Sequence, residues 1–302
     1  MNKILLFVSL VSCIWLAPVQ PVSGGRADKV DNVRPDSLRV ETYVAGDAAW
    51  NVTSTIIYGK TESILVDSQY FKSDAAKLAD RITATKTQLK AIIITHPHED
   101  HYLGLETIHE RFPDAPIYIN AGGLEAFKRG APREIASIKK SHPEEAPESL
   151  PTPDVLPAAR FAIDGQVIEV LEGHGDTPLA PNSYIWIPSL RTVIAGDMIF
   201  NRVHVWLGNS TPQSRTNWLK SLDDLIALHP RVVIGGHKRP SVKDSADAIT
   251  YVQGYLRDFE AARTTASNAD EFIGMMKAKY PDAGLSDTIL AFTAKGIFPK
   301  KS

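Results

Sequence analysis

The sequence predicts an α/β fold in one domain. Short apolar runs that are typical of strands alternate with segments of helical periodicity from residue 39 to the C-terminus. No linker, repeat or low-complexity tract interrupts this alternation. Histidine or aspartate follows directly after several of the apolar runs. We therefore predict a single domain over residues 39–302, with candidate functional residues at the ends of its strands.

The N-terminus has the layout of an export signal. Lys3 precedes an apolar stretch from Ile4 to Val19, and small residues follow between Ser23 and Ala27. This order of a positive, an apolar and a small-residue region is that of a secretory signal peptide. We expect residues 1–25 to be cleaved and residues 26–38 to form a polar tether. The mature protein is then expected in the periplasm or outside the cell.

Two other interpretations of this segment remain open. A permanent membrane anchor would need a longer run than this one, which Ser9, Ser12 and Pro18 interrupt, so no stable anchor is expected after cleavage. A lipoprotein would use Cys13, which follows a lipobox-like Leu-Val-Ser, although the apolar run continues beyond it. Cys13 is the only cysteine, so the mature protein is expected to bind any metal through nitrogen and oxygen ligands.

Strands and helices alternate in the first half of the chain. The predicted strands are at residues 38–44, 51–58, 63–67, 91–95 and 116–119. The predicted helices are at residues 73–86, 104–111 and 123–140, the first of them with Ser73 as its N-cap. The run 91–95 is apolar almost throughout, as expected of a strand that is buried on both faces.

A proline-rich segment separates the two halves. Five prolines between residues 141 and 158 exclude long regular structure there. A long loop inside a domain is either a cover over a functional site or a plain surface connection, and the sequence leaves both open. Beyond it, strands are predicted at residues 160–163, 166–171, 183–187, 192–195 and 231–234. A stripe from Trp218 to Ile226 predicts a core-packed helix, and helices dominate from Val242 onward.

The charge distribution excludes one class of partner. The net charge of −2 results from 33 basic and 35 acidic residues that are spread evenly along the chain. A nucleic-acid-binding protein would carry a basic stripe or patch. We therefore expect a small-molecule substrate and no nucleic acid, and the sequence does not predict the oligomeric state.

Potential metal ligands are concentrated directly after the strand at 91–95. The segment His96-Pro97-His98-Glu99-Asp100-His101 holds three of the nine histidines in the chain. Pro97 favours an extended backbone at His96, so that His96 and His98 can converge on one ion while Asp100 and His101 turn toward a second. Neutral imidazole and carboxylate groups are ligands of zinc and similar divalent metals.

The spacing H-x-H-x-D-H, followed by Gly104, resembles the metallo-β-lactamase fold superfamily of hydrolases. Further residues match the motifs of that family in order, each after an apolar run. They are Asp67 in SILVDS, His174 in EVLEGHGD, Asp197 in TVIAGDM and His237 in VVIGGHK. One departure is Gly-His-Gly-Asp-Thr-Pro around His174, where the family often has Gly-His-Thr-Pro-Gly; it changes the loop beside the metals and not the ligand.

The resemblance implies a four-layer αββα sandwich with a dinuclear centre at one edge. It assigns His96, His98 and His174 to one ion and Asp100, His101 and His237 to the other, with Asp197 as the bridge and Asp67 as a support residue. The expected cofactors are two zinc ions per chain, with iron or manganese as alternatives.

The resemblance also implies hydrolysis by a hydroxide that the two ions generate, with Asp100 orienting it or moving its proton. We expect cleavage of an ester, lactone or similar acyl bond. The alternatives are a β-lactamase, which the aspartate at position 197 weighs against, and an iron-dependent oxygenase on the same fold. The residues predicted to line the substrate pocket are Asn201, His204, Trp206, Tyr102 and Lys238.

Overall fold

Each half of the chain builds one β-sheet in the computed structural model, which describes residues 37–175 and 182–299. The first sheet has six strands in chain order. They are β1 (Arg39–Val44), β2 (Thr53–Tyr58), β3 (Glu62–Val66), β4 (Gln88–Ile93), β5 (Ile117–Ile119) and β6 (Asp154–Val155). The first three strands pair antiparallel and the last four pair parallel, so the carboxyl ends of β3, β4 and β5 meet at one edge.

The second sheet has five strands in the order β12-β10-β9-β8-β7. Their bounds are β7 (Arg160–Ile163), β8 (Gln166–Glu172), β9 (Ser183–Ile187), β10 (Thr192–Ile194) and β12 (Val232–Ile234). Only β10 and β12 pair parallel. Two short strands, β11 (Phe200–Asn201) and β13 (His237–Lys238), form a separate parallel pair.

Helices connect the strands and close the C-terminus. In the first half they are α1 (Lys72–Ala84), α2 (Glu99–Tyr102), α3 (Leu105–Arg111) and α4 (Ala121–Ser141). In the second half they are α5 (Pro212–Ala227), α6 (Asp247–Thr265), α7 (Ala269–Lys279) and α8 (Ala291–Ile297), the last preceded directly by a π-helical turn at Ser286–Leu290. Within the described residues, no helix combines the length and hydropathy that a membrane span requires.

Alternation along the strands builds three apolar layers. In β4, Ile92 packs with Leu78 of α1, whereas its neighbour Ile93 packs between the two sheets. In β9, Ile185 points into the same inter-sheet layer, whereas Trp186 packs on the far side against the helices. Side chains that alternate with period two can fill both faces of a sheet only if each face is covered. The layers therefore run helix, sheet, sheet, helix, which confirms the predicted αββα sandwich.

Several predicted boundaries shift. Ser73 is not the N-cap of α1; its N–H and hydroxyl donate to the Glu145 carboxylate at 2.9 and 2.8 Å. That contact fastens the proline-rich segment to α1, and this segment contains a short 3₁₀ turn and β6. Leu38, at the end of the predicted tether, is buried in the inter-sheet layer. The predicted signal peptide and residues 26–36 of the tether lie outside the described residues.

Candidate metal centre

The strand ends bring buried polar residues together. Asp67 follows β3, His96 follows β4 and Asp197 follows β10, while His237 begins β13 just after β12. All four are nearly inaccessible to solvent. The carboxyl ends of strands in α/β sheets are the usual place for a site, because loops leave the sheet there and side chains converge.

The first group comprises His96, His98 and Asp197, whose ligand atoms all lie within 4.8 Å of one another. His96 Nε2 is 3.0 Å from His98 Nδ1. Asp197 Oδ2 is 3.3 Å from His96 Nε2 and 3.6 Å from His98 Nδ1. Two imidazole nitrogens and one carboxylate oxygen thus converge on one point.

The second group comprises Asp100, His101 and His237, with the same limit of 4.8 Å between ligand atoms. Asp100 Oδ2 is 3.1 Å from His237 Nε2 and 3.6 Å from His101 Nε2. The sequence predicted these three residues as one set, and the structure brings them together.

Asp197 lies between the two groups. Its Oδ2 faces the first group, and its Oδ1 is 3.1 Å from His101 Nε2 and 3.3 Å from His237 Nε2. Gly236 permits this position, because a Cβ atom there would lie only 2.3 Å from Asp197 Oδ1. The carboxylate therefore has the placement that the predicted bridge requires.

Hydrogen bonds orient the imidazole rings of the second group. His101 Nδ1 lies 2.8 Å from Asp67 Oδ2, and His237 Nδ1 lies 2.7 Å from the carbonyl oxygen of Trp50. Carboxylate and carbonyl oxygens only accept, so each Nδ1 must donate and each Nε2 presents a lone pair to the centre when the ring is neutral. Asp67 also accepts from the N–H and hydroxyl of Thr95 at 2.8 and 2.9 Å, which places it where a support residue would act.

The residues fit a divalent cation. His101 Nε2 and Asp197 Oδ1 are buried without a hydrogen-bond partner, and two acceptor atoms only 3.1 Å apart repel unless a positive charge lies between them. Burial lowers the pKa of His237, but Asp197 and Asp100 outweigh burial and raise that pKa to about 10. The centre therefore stabilises added positive charge, and its nitrogen and oxygen donors suit zinc.

His174 lies apart from the cluster, contrary to the prediction from the resemblance. Its Nε2 is 2.7 Å from Asp224 Oδ2, and both side chains are about half exposed. The hydroxyl of Ser221, also on α5, accepts from the N–H of His174 at 2.8 Å. Contacts with α5 therefore hold this residue, and residues 176–181, which follow soon after it, lie outside the described residues.

A cavity of about 410 Å³ opens onto both groups. Of the predicted pocket residues, Trp206 lines it. The other four are buried elsewhere in the described chain, which corrects the prediction. His204 Nδ1 is 2.8 Å from the Tyr255 hydroxyl, Lys238 Nζ donates to Asp244 at 2.7 Å, Asn201 donates to the Lys243 carbonyl at 3.2 Å, and Tyr102 packs edge-on to Phe127.

Residues that the sequence did not suggest complete the cavity. Its apolar lining, besides Trp206, is Trp50, Ile289 and Phe292; its polar lining, besides the metal-site candidates, is Glu99, Arg133, Glu134 and Asn209. None of the lining residues lies in the proline-rich segment, so this segment, for which the sequence left a cover and a surface connection open, is not part of this wall. Glu99 stands inside the histidine motif and could have been suspected from its position, whereas the others carry no local signal.

Comparison with known proteins gives matches to one family. The family model of the metallo-beta-lactamase superfamily matches residues 48–237. A hydroxyacylglutathione hydrolase of Francisella tularensis subsp. holarctica is 37% identical over 73 residues, which is 24% of this chain and 27% of that protein. This chain thus matches about a quarter of the length of such relatives. A metallo-beta-lactamase type 2 of Bacillus cereus is 24% identical over 178 residues, covering 58% of this chain and 62% of that protein.

Solved structures share the fold at low identity. A metallo-beta-lactamase family protein from Thermus thermophilus superposes with a TM-score of 0.60 at 19% identity, covering 86% of this chain and 91% of its own. A beta-lactamase domain protein from Burkholderia ambifaria gives 0.63 at 13% identity, covering 86% and 84%. The family match extends over more than half of the sequence and contains every residue of the cluster, so the chain belongs to the metallo-beta-lactamase superfamily.

Proposed function

We propose that this protein is a hydrolase that uses two zinc ions to cleave an ester, lactone or related acyl bond. The observation that carries the proposal is the Asp197 carboxylate, whose two oxygens face the first and second groups at 3.1 to 3.6 Å. One ion would be held by His96 and His98 and the other by Asp100, His101 and His237, with Asp197 shared. His174 is a further ligand candidate for the first ion.

Zinc in such a site would supply a water of lowered pKa and polarise the acyl oxygen. The chain itself would position that water through Asp100, which lines the cavity. Burial raises the pKa of Asp100, but His101 and His237 outweigh burial and lower it to about 2. The carboxylate is therefore ionised at neutral pH. It can accept a hydrogen bond from a water in the cavity and so orient that water.

The relatives support hydrolysis but not one substrate, since one is named for hydroxyacylglutathione and another as a beta-lactamase. We favour acyl–oxygen bonds because an alkoxide departs more readily than an amide nitrogen, which needs a proton or a metal contact. Asp197 occupies the position between the two groups and so crowds such a contact. β-Lactam hydrolysis is the second candidate, favoured by the Bacillus cereus relative.

The test combines metal analysis with a substrate panel. We expect close to two zinc ions per chain, loss of activity on chelation, and a kcat/KM for esters or lactones above that for penicillins, cephalosporins and carbapenems. Asp197→Asn should lose affinity for both ions and reduce turnover by orders of magnitude, whereas the exposed control Asp80→Asn should not. A β-lactam preference of about tenfold would favour the second candidate. One ion per chain after zinc supplementation would refute the dinuclear centre, and bound iron would point to the oxygenase.

We further propose that the protein acts in the periplasm or outside the cell, on the strength of its N-terminal sequence. N-terminal sequencing of protein recovered from its native cells should find a start close to residue 25. Recovery of the intact Met1 form from the cytoplasmic fraction would overturn this.

A further inference from the structure

Acidic groups dominate the charged lining of the cavity outside the metal-site candidates. Glu134 on α4 is only 15% exposed, and its Oε2 is buried without a hydrogen-bond partner. Glu99, at the start of α2, is a second partly buried acid on the wall. Outside the metal-site candidates, Arg133 is the one lysine or arginine on the described wall; its side chain is 84% exposed, and its Nη2 stays 3.7 Å from Glu134 Oε1. The acids are therefore the more buried charged groups of this wall, and the cation is the more exposed one.

Nearby cations do not offset these acids. Lys238 is adjacent to a ligand candidate, but its Nζ is bound to Asp244 at 2.7 Å and it does not line the cavity. Lys295 contacts the Phe292 ring at 5.7 Å from the centroid and is likewise absent from the described lining. Outside the metal-site candidates, a substrate carboxylate would thus find no buried lysine or arginine on the described cavity wall.

Aromatic rings form much of the remaining wall. The rings of Trp206 and Phe292 meet at 6.5 Å with an interplanar angle of 83°. The N–H of Leu207 donates to the hydroxyl of Thr293 at 3.1 Å, which ties the Trp206 loop to α8. Ile289 and Phe292 lie beyond residue 237, where the family match ends. The C-terminal helices therefore contribute an apolar wall that lies outside the family match.

Partly buried carboxyl groups beside aromatic rings form an environment that stabilises an organic cation. We infer that the cavity selects acyl substrates that carry a positively charged group, such as a substituted ammonium, next to an apolar part. The inference rests on the proposed hydrolase function for the identity of the reacting bond. It rests on Glu134, Glu99 and the aromatic wall for the charge of the substrate.

Three benzoate esters of similar shape test this selection on the zinc-loaded full chain. They are the choline ester, its uncharged 3,3-dimethylbutyl analogue and the anionic 3-carboxy-3-methylbutyl ester. We expect kcat/KM for the choline ester to exceed that of the uncharged ester about tenfold, with the anionic ester lowest. Glu134→Gln should reduce the ratio of choline to uncharged ester several-fold. Glu125→Gln, on the exposed face of the same helix and outside the lining, should leave the ratio unchanged.

Equilibrium binding separates this inference from the proposed hydrolysis. Calorimetry should find 3-phenylpropyltrimethylammonium bound about tenfold more tightly than its uncharged carbon analogue, and Glu134→Gln should remove most of the difference. Equal binding of both probes, or a Glu134→Gln variant with wild-type selectivity, overturns the inference. Selective binding with no turnover of any ester overturns the proposed function and leaves the charge selection standing.

Discussion

The orientation of His101 depends on a single carboxylate, so Asp67→Asn is a sensitive test of the second ion site. Asp67 Oδ2 accepts the Nδ1–H of His101 at 2.8 Å, which leaves Nε2 free to bind a cation. An asparagine amide in that place offers N–H groups instead, and favours the tautomer whose Nε2 carries the proton. Asparagine also tolerates the backbone of residue 67, whose φ is +59°. The fold is therefore retained while the ligand atom is masked.

The magnitude follows from the loss of one ligand-orienting contact. Such changes weaken metal affinity about 10- to 100-fold, or about 1.4 to 2.7 kcal/mol. We expect the loss at the ion held by Asp100, His101 and His237, while the ion at His96 and His98 is affected less. Competition of the purified variant with a chromophoric chelator measures both affinities in sequence.

The matched control is Asp74→Asn, a buried carboxylate on α1 that accepts from the Tyr43 hydroxyl at 2.5 Å and lies outside the cluster. It should bind both ions as the wild type does, even if its stability falls. If the affinity of Asp67→Asn for the ion at Asp100, His101 and His237 stayed within about threefold of wild type, the tautomer argument would be refuted. An equal loss in both variants would refute it as well.

Three further predictions address packing, pH and ligation. Gly236→Ala should destabilise the fold by about 1–3 kcal/mol in urea titrations and lower the affinity for both ions in metal titrations, because its Cβ would meet Asp197 Oδ1 at 2.3 Å. The control Gly274→Ala, in open space on α7, should have neither effect. Burial lowers the pKa of His204 to about 4, so the unfolded chain binds its proton first and stability should fall by about 3 kcal/mol between pH 6.5 and 4. His204→Gln should flatten that slope, and an unchanged slope would contradict the assignment. His174→Ala should lower the affinity for the first ion about tenfold or more, whereas Asp224→Ala should not. Wild-type metal content in both variants would show that His174 is a partner of Asp224 alone.

Local patterns were sufficient to predict the layers and most of the cluster. A strand such as β4 is recognisable because its apolar residues are contiguous and the polar motif begins where it ends. Six of the seven predicted ligands then meet because parallel strand ends share an edge, which follows from the fold and needs no side-chain detail.

Contacts between distant segments could not be predicted in the same way. Ser73 has the chemistry of an N-cap, yet it bonds a carboxylate 72 residues away. His204 lies shortly after β11 in the chain, yet its ring nitrogen Nδ1 hydrogen-bonds the hydroxyl of Tyr255 in the core. The parts of the cavity wall that α4 and α8 supply depend on where these helices pack relative to the strand ends. Residue type indicates what a side chain can do, but only the tertiary path decides which partner it meets.

His174 shows where sequence and structure differ, and energetics indicate how the two can be reconciled. Its pair with Asp224 is about half exposed on both sides, and exposed ion pairs contribute about 0–1 kcal/mol. The group of His96, His98 and Asp197 offers only three donors for an ion that prefers four, so a fourth ligand, the His174 imidazole, would gain far more than the exposed pair loses. The backbone of His174 is anchored to α5 through Ser221, which leaves the ring as the part that must turn. Metal binding is therefore the step that we expect to draw His174 away from Asp224.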